Sequence, residues 1–493
     1  MPEASTRDYV AVIDIGSNAV RFVVYDGLNR APIKIHNERR QCHLGKTLST
    51  TGRLNPEGVK SALESLSRFA ALIRAMKIRE VRAVATAAMR DAKDGPAFIQ
   101  KVKKDFGLSI KVIEGDEEAR LSALGVMMNG LGRQGVIGDY GGGSLELIVV
   151  DNGKVKHKTS LPIGAHRLLA LPTRAERVKY IDAHLDTVSF LEKFEGADFY
   201  ALGGAWRSMA RVHMRRVKHP VFMLDQYTVQ GGSAGYFANF LARQKTAMLK
   251  KVLGAEQRRA HDIGVAALAM SRVFERLKPK RLVYSGTGLR EGMLFDRLSP
   301  ALQKEDALIA SCAKTGLKTS RFSGVEGFEA LSHWMAPLFE KQDAEIKRLV
   351  HAIAYLGDIG WLEHEDYQAI HAFHRTLLSP FYGIDHPGRA FMALAQYARY
   401  AGLDVKEVMG TAGKLIDKKT AAVAITAGLA QRVAFLLTGG ALGLLKNTRL
   451  KVTPGKLTLA LKRPAKGLTA EGIEEALQEL ASTLHKRAAI EIA

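Results

Sequence analysis

Apolar residues follow two different rhythms along this chain, and the switch between them sets out its architecture. Through the first 300 residues, short runs rich in Val, Ile and Leu alternate with longer stretches of helical periodicity. Strands are predicted at 9–14, 21–26, 33–38, 81–85 and 110–113. Helices are predicted at 57–76, 95–105 and 116–128, the second with Asp94 as N-cap and Pro96 in its first turn. The glycine-rich stretch Gly130 to Gly135 reads as a hinge, after which strands return at 136–140, 145–151, 154–160, 199–202 and 281–285. This alternation predicts an α/β fold of two similar lobes with a cleft between them. From about 305 to 445 the pattern is mostly helical; a hairpin over 449–462 and a closing helix from Ala470 to about Arg487 follow. The expected domains are therefore lobe I at 1–130, lobe II at 131–305 and a helical region at 306–493.

Within the α/β part, one pattern occurs twice. Residues 10–26 and 135–151 each hold an apolar run ending in an acid (Asp14, Asp139), a turn of Gly and Ser, and a second apolar run. Each reads as a hairpin with a carboxylate at the mouth of its turn. Gly16, Gly141, Gly142 and Gly143 are expected to take positive φ or to let a ligand come close, while Ser17, Asn18 and Ser144 add neutral donors. Such turns suit phosphate oxygens. An Asp beside each would repel a bare phosphate, which suggests a divalent cation between the two. A single copy reads equally well as an ordinary tight turn; the repetition favours the ligand.

Composition narrows the setting. A 47% hydrophobic content with 25% charged residues is that of a globular chain, and 493 residues leave room for roughly three domains. Two cysteines, Cys42 and Cys312, form neither a disulfide framework nor a metal-ligand spacing, as in a reducing compartment. The N-terminal Met-Pro-Glu-Ala-Ser-Thr-Arg-Asp has no basic stretch leading into an apolar one, so a cytoplasmic location is expected. The most apolar segment, Thr420 to Leu445, carries Gln431 and Arg432 near its centre and is expected to be a buried helix, with no membrane partner.

The net charge of +22 is unevenly spread: residues 1–300 hold 48 Lys and Arg against 30 Asp and Glu, the remainder 24 against 20. The basic excess thus accompanies the phosphate turns and points to a polyanionic ligand. Arg207, Arg211 and Arg215 recur every four residues and predict a stripe along one helix face, either solvated or a track for successive phosphates. Aromatic residues are sparse around it, so no specific nucleic-acid partner is expected. Arg21, Arg90 and Arg290 lie near strand ends and read as charge-assisted phosphate donors. The acids from Glu114 to Glu118 open a helix; composition alone does not choose a base among them.

Six segments in order carry a resemblance. They are Asp14-Ile-Gly-Ser-Asn18 with Arg21, Ala85-Thr-Ala-Ala-Met-Arg90, Glu114-Gly-Asp-Glu-Glu-Ala-Arg120, Asp139-Tyr-Gly-Gly-Gly-Ser-Leu-Glu146, Leu202-Gly-Gly-Ala-Trp-Arg207 and Ser285-Gly-Thr-Gly-Leu-Arg-Glu-Gly292. Together they resemble the exopolyphosphatase/guanosine pentaphosphate phosphatase (Ppx/GppA) family over about residues 8–300. The resemblance implies two actin-like lobes (the ASKHA, ribonuclease H-like fold) and cleavage of a phosphoanhydride by water with Mg²⁺; Mn²⁺ and a monovalent activator are left open. It implies Glu118 as the catalytic base with Asp139 as its partner, and Asp14, Asp139 and Glu146 on the metal. Ser17, Asn18, Gly142, Gly143 and Ser144 match the phosphate loops, and Arg21, Arg90 and Arg290 the clamps. In actin-like ATPases a glycine pair resembling Gly203-Gly204 faces adenosine; here Trp206 and Arg207 follow, which favours a site refitted for a chain of phosphates.

The C-terminal region resembles the HD-type helical extension of long bacterial members. His351, Asp358, His364, His371, His374, Asp385 and His386 lie in it, but Gly357 precedes Asp358 where a His-Asp pair would be expected, so structural histidines are the expectation. His261-Asp262 and Gly45-Lys46-Thr47 are set aside as a lone dipeptide and an incomplete P-loop. The expected activity is removal of terminal phosphate from inorganic polyphosphate. The alternatives are hydrolysis of guanosine pentaphosphate (pppGpp), both activities, or a non-catalytic sensor of either ligand. A homodimer is implied by the resemblance.

Overall fold

The computed structural model describes residues 8–254, 259–462, 467–468 and 471–492. The N-terminal residues 1–7 and Ala470, on which two of the expectations above fall, lie outside them. The chain divides into two compact units, Met1–Lys304 and Glu305–Ala493.

The first unit is built on two sheets. The first contains β1 (Val10–Ile15), β2 (Ala19–Tyr25), β3 (Lys34–Gln41), β4 (Glu80–Ala85) and β5 (Ile110–Val112) in the order β3-β2-β1-β4-β5. The second contains β6 (Gly135–Tyr140), β7 (Leu145–Asp151), β8 (Lys154–Leu161), β9 (Phe199–Leu202), β10 (Thr228–Gln230) and β11 (Arg281–Tyr284) in the order β10-β11-β9-β6-β7-β8. The repeated hairpins, β1–β2 and β6–β7, lie inside their sheets, and each first strand has a parallel neighbour on its other side, β4 or β9. Burial on both faces explains their nearly unbroken apolar runs. β3 at the edge is polar on both faces.

Helices cover the sheets because their apolar positions recur at helical spacing. In the helix Pro56–Ala75, Ala62, Leu66, Phe69, Ala70 and Ile73 are buried, and Phe69 stacks on Phe22 of β2 with centroids 5.0 Å apart. Two further helices place site residues. Gly115–Met128 follows β5, and Leu289–Phe295 follows β11. They pack at backbone contact: a Cβ on Gly125 would meet the Gly288 carbonyl oxygen at 2.0 Å, and one on Gly292 would meet that of Leu121 at 1.8 Å. Only glycine permits this approach, which brings Glu118 and Arg290 to one cleft.

Three expectations need correction. The Asp94 side chain does not cap its own helix; it accepts from the Leu54 amide at 3.0 Å and so ties down a neighbouring turn. Gly16, Gly141, Gly142 and Gly143 are not among the residues with positive φ, so at these turns the missing side chain serves close approach rather than a left-handed backbone. The closing helix spans Glu471–Thr483, His485 takes φ 55°, and Arg487–Ile492 forms a strand parallel to Lys456–Leu461.

In the second unit that strand joins Thr448–Val452 and Lys456–Leu461 in a three-stranded sheet beside a helical body. Its apolar helix Lys418–Thr438 is long enough to cross a membrane, yet 67% of its apolar window is buried inside the protein. Gln431 donates to the Ile353 carbonyl at 2.7 Å, and a Cβ on Gly428 would strike the Ala395 carbonyl oxygen at 2.1 Å, so this helix is fitted to protein neighbours. The histidines and aspartates singled out in this unit have local partners. His351 pairs with Glu329, His371 with Glu363 and Asp358 with Arg321, while Asp385 caps the helix His386–Ala401. His364 lies beside Asp366, His374 meets the edge of Phe373, and His386 is buried.

Candidate active site

The two glycine turns face each other across a cleft of about 470 Å³. Asp14, Ser17, Asn18 and Arg21 line it from the first lobe; Asp139, Gly142, Gly143 and Ser144 from the second; Glu118, Arg207, Arg211 and Arg290 join them. Glu146, Arg90 and Arg215 are not on the wall, Glu146 being buried behind it. Arg90 donates to the Ile113 carbonyl at 2.9 Å beside the start of the Glu118 helix. Arg215 is exposed and lies over the Phe222 ring, 4.9 Å from its centroid. Trp206 points the other way, into the core, where it stacks on Tyr140 and donates to the Ala266 carbonyl.

In the second lobe, the carbonyls of Gly142 and Gly143 are held from behind. The His166 amide donates to Gly142 O at 2.8 Å, and Arg167 Nε to Gly143 O at 3.2 Å. The amide N–H groups of Gly142, Gly143 and Ser144 make no backbone bond among the described residues, a nest of the kind that binds phosphate. Close packing requires these glycines: a Cβ on Gly142 would lie 2.9 Å from the His166 ring and 3.2 Å from Ser17. In the first lobe, Gly45 of the discarded Gly-Lys-Thr segment donates to the Ser17 carbonyl at 2.9 Å and so supports the facing turn.

The charges on the two walls differ. Asp14 stands opposite Arg21 in the β1–β2 register and accepts from Arg290 Nη1 at 2.6 Å. Arg290 also feels the charge of its neighbour Glu291, a fully buried acid bound by Lys34 and Tyr25, each at 2.8 Å, and kept ionised well below the carboxylate range despite its burial. Asp139, by contrast, stands opposite Glu146. Its Oδ2 accepts from Ser122 at 2.8 Å, and Glu146 accepts from Ser144 and Ser160. Glu118 Oε2 is buried without a partner among the described residues.

Burial, with the neighbouring carboxylates, pushes the proton affinities of this trio up. Glu118 rises well above the ordinary range, through desolvation first and then Glu146, Asp139 and Asp14. Glu146 is pushed up to about 7 by burial and by Asp139. Asp139 is raised by burial, against the pull of Ser122 and Arg207. On the cationic side, burial and the charges of Arg290 and Arg207 bring Arg21 down to about 10.

Among the described residues, no three His, Cys, Asp or Glu side chains converge as a metal site on their own. The oxygens that do face one another, an orphaned Glu118 atom among raised carboxylates, fit a hard cation that takes its remaining ligands from phosphate and water.

Sequence reasoning missed three further cations on the wall: Lys34, Arg39 and Arg259. Arg39 stands directly opposite Arg21 in the β2–β3 register. Arg259 lies over the glycine pair, its Nη1 2.7 Å from where a Gly204 Cβ would be. An eight-residue strand, Lys-Ile-His-Asn-Glu-Arg-Arg-Gln, that stays polar on both faces was the available signal for Lys34 and Arg39.

Comparison with known proteins agrees with this arrangement. Saccharomyces cerevisiae retrograde regulation protein 2 is 23% identical over 81% of this chain and 74% of its own. Exopolyphosphatase 1 of Mycobacterium bovis is 24% identical over 63% of this chain and 94% of its own. The guanosine-5'-triphosphate,3'-diphosphate pyrophosphatase of Vibrio vulnificus is 27% identical, covering 62% of each. Among solved structures, the Aquifex aeolicus Ppx/GppA family member superposes with a TM-score of 0.50 at 28% identity, covering 58% of this chain and 96% of that one. An exopolyphosphatase from Cytophaga hutchinsonii shares the fold, with a TM-score of 0.54 at 22% identity over 59% of this chain and 99% of its own. The C-terminal exopolyphosphatase model matches residues 330–490. Since the Ppx/GppA phosphatase model matches residues 23–301, more than half the chain, this protein belongs to the Ppx/GppA phosphatase family.

Proposed function

We propose that the protein is an exopolyphosphatase, which removes the terminal phosphate of inorganic polyphosphate by attack of water. The observation that carries this reading is the cleft wall. Arg21, Lys34, Arg39, Arg207, Arg211, Arg259 and Arg290 line it, and its one aromatic residue, Tyr140, is buried against Trp206. Such a wall offers charge to many phosphates and no stacking surface to a base.

In this mechanism the terminal phosphate rests on the Gly142, Gly143 and Ser144 amides, with Ser17 and Asn18 facing it and Arg290 and Arg21 drawing its charge. Glu118 accepts a proton from water as the water oxygen bonds to phosphorus. The bond from phosphorus to the bridging oxygen breaks, and the shortened chain carries away that oxygen. Glu118 suits the task because burial beside other carboxylates raises its proton affinity above that of a free carboxylate and so makes it a stronger base. Asp139 and Glu146, beside Glu118, would hold Mg²⁺ or Mn²⁺ together with substrate oxygens; when bound, the cation offsets charge on the transferred phosphoryl group. Charge placement supplies most of the rate in such reactions.

Phosphate release from long-chain polyphosphate, tripolyphosphate and pppGpp, with Mg²⁺ and after chelation, tests the proposal. Preference for the inorganic chains and loss on chelation are expected; turnover of pppGpp alone would replace the substrate. The relatives named for the guanosine nucleotide keep that alternative in view.

A further inference from the structure

A stripe along the helix Gly204–Arg216 would carry a long chain past Arg207, Arg211 and Arg215. The structure interrupts it. Arg211 is on the cleft wall, but Arg215 is turned onto Phe222 and Arg216 onto Phe240, their guanidinium centres 4.9 and 5.0 Å from the rings. Each four-residue step drifts about 40° around a helix, so by the third arginine the row has left the cleft.

A second route is open on the other lobe. Arg39 lines the cleft and borders, across the edge of β3, a separate groove of about 540 Å³ between β3 and the helix Pro56–Ala75, on the strand face that carries Arg40. The groove adds Arg40 and Arg68, the Ser61 and Ser65 hydroxyls and the Gln41 amide, against one lining acid, Glu64. Arg39 itself is poorly compensated. It faces Arg21 across the strands, an unfavourable pairing of like charges, and forms no ion pair among the described residues. Burial and the charges of Arg259 and Arg290 lower its proton affinity, as expected of a guanidinium awaiting an anion. Glu38 is the acid to overcome: it pairs with Arg68 at 3.1 Å and lies 3.8 Å from Arg40.

We infer that the distal phosphates of a long substrate leave the cleft across lobe I, turning at Arg39 into the groove of Arg40 and Arg68, and not along the helix that carries Arg215. This rests on the polyphosphate reading above and adds a binding site outside the catalytic cleft. Continuity through a shared arginine and the excess of guanidinium groups carry it.

The test compares KM for long-chain polyphosphate with KM for tripolyphosphate, which is too short to reach the groove. In the double variant Arg40→Gln/Arg68→Gln, the ratio of the two is expected to rise about fivefold, the worth of two exposed charge contacts. Arg215→Gln is expected to leave the ratio where it was. Glu38→Gln, which removes the competing acid, is expected to lower it, a change that general loosening of the fold would not produce. A wild type that hydrolyses neither chain overturns the substrate reading and this inference with it. A wild type that hydrolyses both, with a ratio insensitive to the Arg40/Arg68 pair or raised by Arg215→Gln, overturns the exit route alone.

Discussion

The two hairpins share a backbone plan and differ in the charge that faces their aspartates. In lobe I the residue opposite Asp14 is Arg21, and Arg290 reaches the same carboxylate. In lobe II the residue opposite Asp139 is Glu146, and Glu118 adds a third acid. One copy of the device is thus already neutralised and grips anions; the other is under-compensated and calls for a proton or a cation. On the proposed reading, the repeated turn divides the work of phosphoryl transfer between a cationic wall and an acidic one. Asp14 meets Arg290 and still lies close enough to the acidic trio to raise the proton affinities of Glu118 and Asp139.

The largest effect should come from the acidic wall. Glu118→Gln keeps the shape and removes the proton acceptor, so kcat should fall by about 10² to 10⁴ while the variant still binds polyphosphate. Single-turnover phosphate release together with equilibrium binding checks this. Retained turnover would move the base to another group and end the division of labour argued for the two walls.

Next is the cationic wall. Arg290→Gln leaves Asp14 largely buried beside Arg21 without its closest partner, and should cost about 3 kcal/mol in urea unfolding as well as raising KM. Asp14→Asn should also destabilise, since it strands Arg290. The opposite sign is expected on the acidic wall: neutralising an acid there relieves repulsion. If both walls responded alike, the contrast between them would be only apparent.

The hairpins were legible because each is local: apolar runs, an acid and small turn residues lie within 17 positions in both copies. The charge contrast was partly legible, since Arg21 and Glu146 occupy corresponding places in the two patterns. What sequence could not give was the company each residue keeps after folding. Arg39 and Arg259 meet the site only when β3 and the start of a later helix close around it. Arg215 is turned away by the accumulated drift of the helix, which a count of four-residue steps conceals. Arg487-Ala-Ala-Ile-Glu-Ile has the look of a helix end, and only pairing with Lys456–Leu461, remote in sequence, makes it a strand.

Glu146→Gln measures the strain on the acidic wall directly. Folding takes this carboxyl from an ordinary value of 4.5 up to about 7, so the folded state holds its proton more tightly. The associated stability is fully present below pH 4.5 and is lost as pH rises through 7. The amide does not titrate. With a chelator present, the variant should therefore exceed wild type by up to about 3 kcal/mol above neutrality, the gap closing in acid. Added Mg²⁺ should stabilise wild type more than the variant. A gap independent of pH would mean that packing, not ionisation, separates them.

The smallest and most selective change is Ser160→Ala. The Ser160 hydroxyl donates to Glu146 Oε1 at 2.8 Å and favours the ionised form, as does Ser144. Removing one of two donors leaves the carboxylate half-served, so its proton affinity should rise further, by about one unit if the bond is worth about 1.4 kcal/mol. The pH at which the decline levels off, set by the folded-state value, should move up by that amount in Ser160→Ala while its onset near 4.5 stays put, and no such movement should appear when Ser160→Ala is combined with Glu146→Gln. The double variant isolates the hydroxyl's action through the carboxylate from any effect on β8 itself. Equal shifts in both backgrounds would show that Ser160 supports the strand and does not tune the acid.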